Sequence, residues 1–267
     1  MSKLVVSSHA PDRTGNILRV TPESAGWNYV GFEVYQLEPG QQLERELAEQ
    51  ENCLVLMTGK ADVTVGTQSW MDLGKRTDVF DGQRPYAVYV PAHSSWFVSA
   101  QTSLELAVCT APAEGRLKPR LILPDDMSVE HRGHTNIRRT VHNILPEQES
   151  AENLLVVEVL VKDGNWSGYP PHKHDVDDLP RESSLEETYF HKVRPEEGFA
   201  FQRVYTTDGA LDESIAVQNN HCVLVPKGYH PVVAPPRHDV YFINVMAGPV
   251  RTWRFTEHAV HAALMSD

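Results

Sequence analysis

Short β-branched and aromatic runs recur along the whole chain at intervals of roughly ten residues, and no other sequence feature restricts the fold as much. They read WNYVGFEVYQL, CLVLMTG, ADVTVG, YAVYVP, WFVSA and LELAVC in the first half. In the second half they read LLVVEVLV, ETYFHKV, FAFQRVYT, SIAVQ, CVLVP and DVYFINVM. Gly, Pro, Asp and Asn separate them, which is the pattern of an antiparallel sandwich or barrel rather than of alternating strands and helices. Few helices are expected. The candidates are the C-terminal EHAVHAALM and a short turn around LERELAEQ.

The pattern is also duplicated. Tyr-Val-Pro at 89–91 and Leu-Val-Pro at 224–226 each close an apolar strand before a turn, 135 residues apart, and Glu51 and Glu187 each open one, 136 apart. Two landmarks at nearly one offset predict two similar β-domains in tandem, residues 1–125 and 126–267. The segment 113–150, rich in Pro, charge and His, is expected to begin as a linker and end by feeding the second domain.

With 267 residues, 41% hydrophobic and 22% charged, the chain can bury a sizeable core. A formal net charge of -12 argues against nucleic acid or an anionic membrane surface as a partner, because both require clustered Lys and Arg. A small anionic substrate stays open if a few local cations bind it. The N-terminal apolar run is too short for a signal peptide and no segment approaches a membrane span, so cytoplasmic residence is expected. Cys53, Cys109 and Cys222, each inside an apolar run, read as reduced core residues.

The residues that suggest chemistry lie in the second half. In YPPHKHD, His172 and His174 stand at i and i+2, which on extended backbone puts both on one face and turns Lys173 away. Glu187 heads a strand further on; Glu186 competes with it, but alternation places Glu187, Tyr189 and His191 on one face. PKGYH then delivers His230 on a turn shaped by Pro226 and Gly228. Imidazole and carboxylate are the ligands that zinc, manganese or iron take. The stretch just upstream of Glu51, QQLERELAEQ, holds no histidine, so the first domain is expected to be metal-free. His131 and His134 form a rival pair that reads as solvated, and His221 and His238 read as exposed.

The order Gly168-x3-His172-x-His174, Glu187, Pro226-x-Gly228-x-His230 resembles the two motifs of a metal-binding cupin. More closely, GNWSGYPPHKHD, LEETYFHKV, GFAFQRVYT and VPKGYHPVVAPP, with INVMAGPVRTW following, resemble the 5-deoxy-glucuronate isomerases of myo-inositol breakdown. These are bicupin sisters of the 5-keto-4-deoxyuronate isomerases. The resemblance covers most of residues 150–255. It implies an all-β bicupin, two double-stranded β-helix (jelly-roll) barrels, acting as an aldose–ketose isomerase with a divalent metal. Zinc is the expected ion, with manganese or iron as alternatives, held by His172, His174, Glu187 and His230. The substrate is then a small sugar acid, and the assembly a homo-oligomer. Departures include the twelve residues between His174 and Glu187, longer than in cupins generally but like the closer family, and PPRHD at 235–239.

Such an isomerase must move a proton between adjacent carbons and stabilise an enediolate. Tyr189, Tyr205 and Tyr229 are the candidates for proton relay, and Arg203 for the substrate carboxylate, since guanidinium offers a bidentate fork. A cupin oxygenase and a non-catalytic sugar-acid-binding module are the competing readings.

Overall fold

A computed structural model describes residues 2–265 of the chain. It divides into two compact units: residues 8–128 with 143–156, and residues 2–7 with 129–142 and 157–265. Both are built almost wholly of antiparallel strands.

In the N-terminal unit a six-stranded sheet runs in the order Arg120–Ile122, Tyr86–Val90, Gln50–Thr58, Leu104–Pro112, Gly31–Leu37, Asn16–Val20. A four-stranded sheet of Gln42–Glu46, Ser95–Ala100, Ala61–Val65 and Gln68–Leu73 packs against it. Period-two alternation sends Leu54, Leu56, Val88, Leu106 and Val108 of the first sheet against Val63, Val65, Trp96 and Val98 of the second, and all are buried. This barrel is therefore filled by its own apolar side chains.

In the C-terminal unit the large sheet is ordered Val5–Val6, Cys222–Val225, Glu186–Arg194, Asp239–Ala247, Leu155–Lys162, Arg139–Leu145, Ser128–Arg132. The small one is Trp166–Ser167, Val232–Val233, Phe199–Tyr205, Asp212–Gln218. Two short ribbons flank them. His172–Lys173 pairs with Thr256–Glu257, and Asp175–Asp178 with Glu182–Ser184.

The segment expected to form a helical turn, LERELAEQ, instead begins in the strand Gln42–Glu46, whose residues are alternately exposed and half-buried. Its charges have a period of two: Arg45 turns inward with Leu43, ion-pairs with buried Glu33 at 2.8 Å and lies over the Trp96 ring. The C-terminal candidate does contain a helix, Ala259–Ala263, and Pro22–Ala25 forms one further turn, capped by Thr21. All three cysteines are buried and unpaired, and burial, outweighing the Arg120 charge, pushes the Cys53 thiol up to about 12.

Strand register refines the duplication. Glu187 pairs with Val225, whereas the residue that pairs with Val90 is Asn52, not Glu51. Asn52 therefore takes the inward place of Glu187, and its side-chain oxygen accepts a hydrogen bond from Trp96 Nε1. Glu51 faces the other way. Its fully buried carboxylate accepts backbone N–H groups from Glu152, Asn153 and Leu154, at 2.6–2.8 Å, and the Tyr89 hydroxyl. One side chain thus anchors the segment 152–154. Glu51→Ala should destabilise the protein by roughly 2–4 kcal/mol, because several buried donors lose a charged acceptor at once. Urea unfolding would show it as a lower midpoint, and an unchanged midpoint would contradict the anchoring role.

Candidate metal centre

Three local structures bring the candidate ligands together. The short strand His172–Lys173 presents His172, the chain then turns through His174 into the Asp175–Asp178 ribbon, and the strand Glu186–Arg194 carries Glu187 into the barrel interior. The turn after Cys222–Val225 supplies His230. Potential ligand nitrogens of His172, His174 and His230 all lie within 4.8 Å of one another. Glu187 Oε2 lies 3.0 Å from His174 Nε2 and 3.2 Å from His230 Nε2.

Hydrogen bonds on the outer side of the cluster orient these atoms. His230 Nδ1 lies 2.8 Å from Gly228 O and His174 Nδ1 lies 3.2 Å from Leu185 O, so each ring has a carbonyl for its Nδ1–H and turns Nε2 toward the centre. Asn244 donates to Glu187 Oε1 at 2.7 Å, which leaves Oε2 for the imidazoles. His230 Nε2 is buried without a hydrogen-bond partner, because its approach to Oε2 lacks hydrogen-bond geometry. An inward lone pair beside a carboxylate oxygen and two further imidazoles fits a divalent cation.

The electrostatics agree. Burial and the neighbouring His230 and His174 rings hold the His172 pKa well below the usual value, so the ring is neutral. Burial opposes ionisation of Glu187, but the His174 and His230 imidazoles outweigh it and hold its pKa at about 2. For His174 burial is again outweighed, here by Glu187, and the pKa is raised. A proton and a metal ion would compete for this ring.

An outer lattice fixes the loops. Lys173 does point away from the histidines, and its ammonium bonds Asp175 at 2.6 Å and Glu182 at 2.8 Å. Asp175 also accepts the Gly228 N–H at 2.8 Å, which ties the His172–His174 segment to the turn that carries His230.

Of the three tyrosines, only Tyr189 lines the cavity beside the cluster, a space of about 80 Å³ bounded also by His172, Glu187 and Asn244. Tyr205 and Tyr229 do not line it; their rings pack against each other at a centroid distance of 5.3 Å, and Tyr229 meets His258 edge-on at 4.8 Å. Arg203 does not line the cavity either. It projects from the outer face of its strand, pairs with Asp212 at 2.8 Å and covers the Tyr205 ring. His131 and His134 are exposed, while His221 and His238 are half-buried rather than exposed.

Several cavity residues escaped the sequence reading: Arg132, Arg139, Asn244, Trp253 and Phe255. Alternation could have found Asn244, which sits opposite Tyr189 on the neighbouring strand. Nothing in HTNIRRTVHN separates Arg138 from Arg139, since both faces of that strand are partly covered.

Paired double-sheet barrels, the second carrying an inward cluster of three histidines and a glutamate, define a bicupin with a site competent to hold a metal. The chain belongs to the KduI/IolB family, whose sequence pattern matches residues 4–264. It is 56% identical over 267 residues to the 5-deoxy-glucuronate isomerase of Geobacillus kaustophilus HTA426, covering 100% of this chain and 97% of that one. The 5-deoxy-glucuronate isomerase of Bacillus subtilis 168 is 45% identical over 243 residues, 91% of this chain and 90% of its own. Among solved structures, an IolB-like protein from Salmonella typhimurium LT2 superposes with a TM-score of 0.96 at 46% identity, covering 99% of this chain and 100% of that one. The oxalate decarboxylase of Lactobacillus farciminis, at 12% identity and a TM-score of 0.67 over 99% of this chain and 91% of its own, shares the fold alone.

Gly228 offers a test of how the turn positions His230. Its φ is +90°, and an added Cβ would lie 2.4 Å from the Tyr205 carbonyl oxygen. Gly228→Ala should therefore displace the turn, costing about 1–3 kcal/mol and most metal affinity. Metal titration of the folded variant checks this; wild-type affinity would mean that the turn does not position His230.

Proposed function

We infer that this chain catalyses the aldose–ketose isomerisation of 5-deoxy-glucuronate to 5-dehydro-2-deoxy-gluconate. The observation that carries this reading is full-length identity of 56% to a 5-deoxy-glucuronate isomerase, in a chain whose second barrel turns three histidines and a glutamate toward one point.

His172, His174, Glu187 and His230 are the proposed ligands of one divalent ion, zinc in our reading. Bound there, the ion would polarise a carbonyl oxygen and stabilise negative charge on it. The chain's own groups supply the rest. Burial, then the Glu187 charge, pushes the Tyr189 phenol well above its usual pKa, so it stays protonated and can donate to a substrate oxygen on which charge develops. Isomerisation removes a proton from C2, returns one to C1, and moves the hydroxyl proton from O2 to O1. Tyr189 is the proposed donor in the oxygen exchange. Tyr205 and Tyr229, which do not line the cavity, have no such role in this reading.

A cavity of about 80 Å³ is well below the roughly 300–1,000 Å³ of sites that bury small ligands. The aromatic side chains that narrow it, Trp253 and Phe255, must yield on binding. Homo-oligomerisation is the accompanying proposal, supported by Phe199 and Phe201, which stand exposed on the outer face of one strand. Cytoplasmic residence is supported by three unpaired cysteines. Among the described residues no helix is long and apolar enough to cross a membrane.

Purified protein should interconvert the aldose and ketose acids under anaerobic conditions, with about one divalent ion per chain by elemental analysis. Chelation should abolish turnover and lower the thermal midpoint, with both restored by zinc. His172→Ala should lose the ion and at least about 10²-fold in kcat/KM. An anaerobic preparation with full metal and no carbonyl shift would remove the isomerase reading. Wild-type turnover in a metal-free sample would remove the metal from it.

A further inference from the structure

Arg139 begins the strand Arg139–Leu145 and turns with Val141 into the same cavity as His172 and Tyr189. Its half-buried guanidinium donates a hydrogen bond from Nη1 to Ile137 O at 3.0 Å. Among the described residues no carboxylate lies within ion-pair distance of it. A second cation stands next to it. Arg132 lines the same cavity, lies 5.8 Å from the Trp253 ring centroid, and has its own carboxylate, Glu130, on the solvent side. Burial and the Arg132 charge lower the Arg139 pKa, and the Arg139 charge adds to the burial and the imidazoles that lower that of His172. The guanidinium nevertheless stays charged at any physiological pH.

A half-buried cation beside another cation, with no carboxylate of its own, is costly, and with a cavity in front of both the cost is relieved when an anion enters. The four unused N–H donors of a guanidinium match the two oxygens of a carboxylate. The proposed substrate carries its carboxylate at the end of the carbon chain opposite its aldehyde. Resting on the isomerase reading above, we propose that Arg139, flanked by Arg132, is the carboxylate subsite, and that it makes the enzyme selective for sugar acids over neutral aldoses. Arg203, held by Asp212 outside the cavity, takes no part in this.

The test compares 5-deoxy-glucuronate with 5-deoxy-glucose, in which a hydroxymethyl group replaces the carboxylate, in the metal-loaded wild-type and Arg139→Gln enzymes. Arg139→Gln should raise KM for the acid at least about tenfold, through loss of a bidentate charged contact, and leave kcat/KM for the neutral sugar within about threefold. Metal content should not change. Equal losses on both substrates, or none on the acid, would overturn the subsite while leaving the isomerase reading intact. If the wild type turns over neither compound, the isomerase reading fails. Calorimetric binding of 5-deoxy-glucuronate then decides the subsite: binding that Arg139→Gln abolishes supports it, and binding that survives overturns it. Should Arg139→Gln fail to fold, Arg139→Lys carries the comparison, because it keeps the charge and loses the fork. A reduced preference for the acid supports the proposal; an unchanged preference overturns it.

Discussion

A carboxylate in the middle of a β-barrel is the constraint around which the C-terminal unit is organised. Glu187 is 2% exposed, and an isolated buried carboxylate would sooner take up a proton than stay charged. Here one oxygen receives the Asn244 amide and the other faces the His174 and His230 imidazoles, an arrangement that holds the pKa at about 2. Each partner must itself be held in place. Backbone carbonyls of Gly228 and Leu185 orient the two rings, and Asp175, steadied by Lys173, ties together the two loops that carry the histidines. The lattice of hydrogen bonds outside the cluster is thus a consequence of placing one charge inside it.

The N-terminal unit shows what the same architecture becomes without that charge. In strand register Asn52 stands where Glu187 does, and Leu54 and Leu56 stand where Tyr189 and His191 do. Leu54 and Leu56 then close against Val63, Val98 and Trp96, so apolar side chains fill most of the interior around Asn52 and the Arg45–Glu33 pair. Close packing of this kind stabilises a barrel and offers no chemistry. The carboxylate that does survive at the strand opening, Glu51, faces the other side and binds backbone N–H groups, so a residue that looks like the counterpart of a ligand is structural.

How much of this was legible in the sequence depends on whether one face of a strand is dry and the other wet. Period-two patterning and turn residues were enough for the strands and the all-β class. Alternation separated Glu187 from Glu186, because Tyr189 and His191 share the inward face. The same logic cannot tell which face is inward when charged residues sit on both sides, and that is where the reading went astray. Arg203 follows Gln202, a fully buried polar residue that takes the inward place, so the arginine is left outside. In LERELAEQ the charges suggested a helical turn, yet Arg45 is drawn inward by Glu33, a partner twelve residues earlier that no local pattern reveals. Arg139 was invisible for the converse reason: its importance comes from having no carboxylate within ion-pair distance among the described residues, which is a property of the fold and not of its neighbours in the chain.

The cavity consequently has a direction. At one side stand Glu187 and the neutral His172 imidazole; at another stand Arg139 and Arg132. An acid entering with its carboxylate toward Glu187 would meet a buried like charge, whereas the reverse orientation satisfies a guanidinium that otherwise has no counter-ion. That polarity alone would order a molecule with an aldehyde at one end and a carboxylate at the other, bringing its reactive carbons to the side where Tyr189 can donate a hydrogen bond. It also explains how a chain of net charge -12 can serve an anionic substrate. Long-range attraction is not needed when a half-buried arginine without a carboxylate partner lines the cavity, because at short range its charge outweighs a surface average that salt screens within about 10 Å.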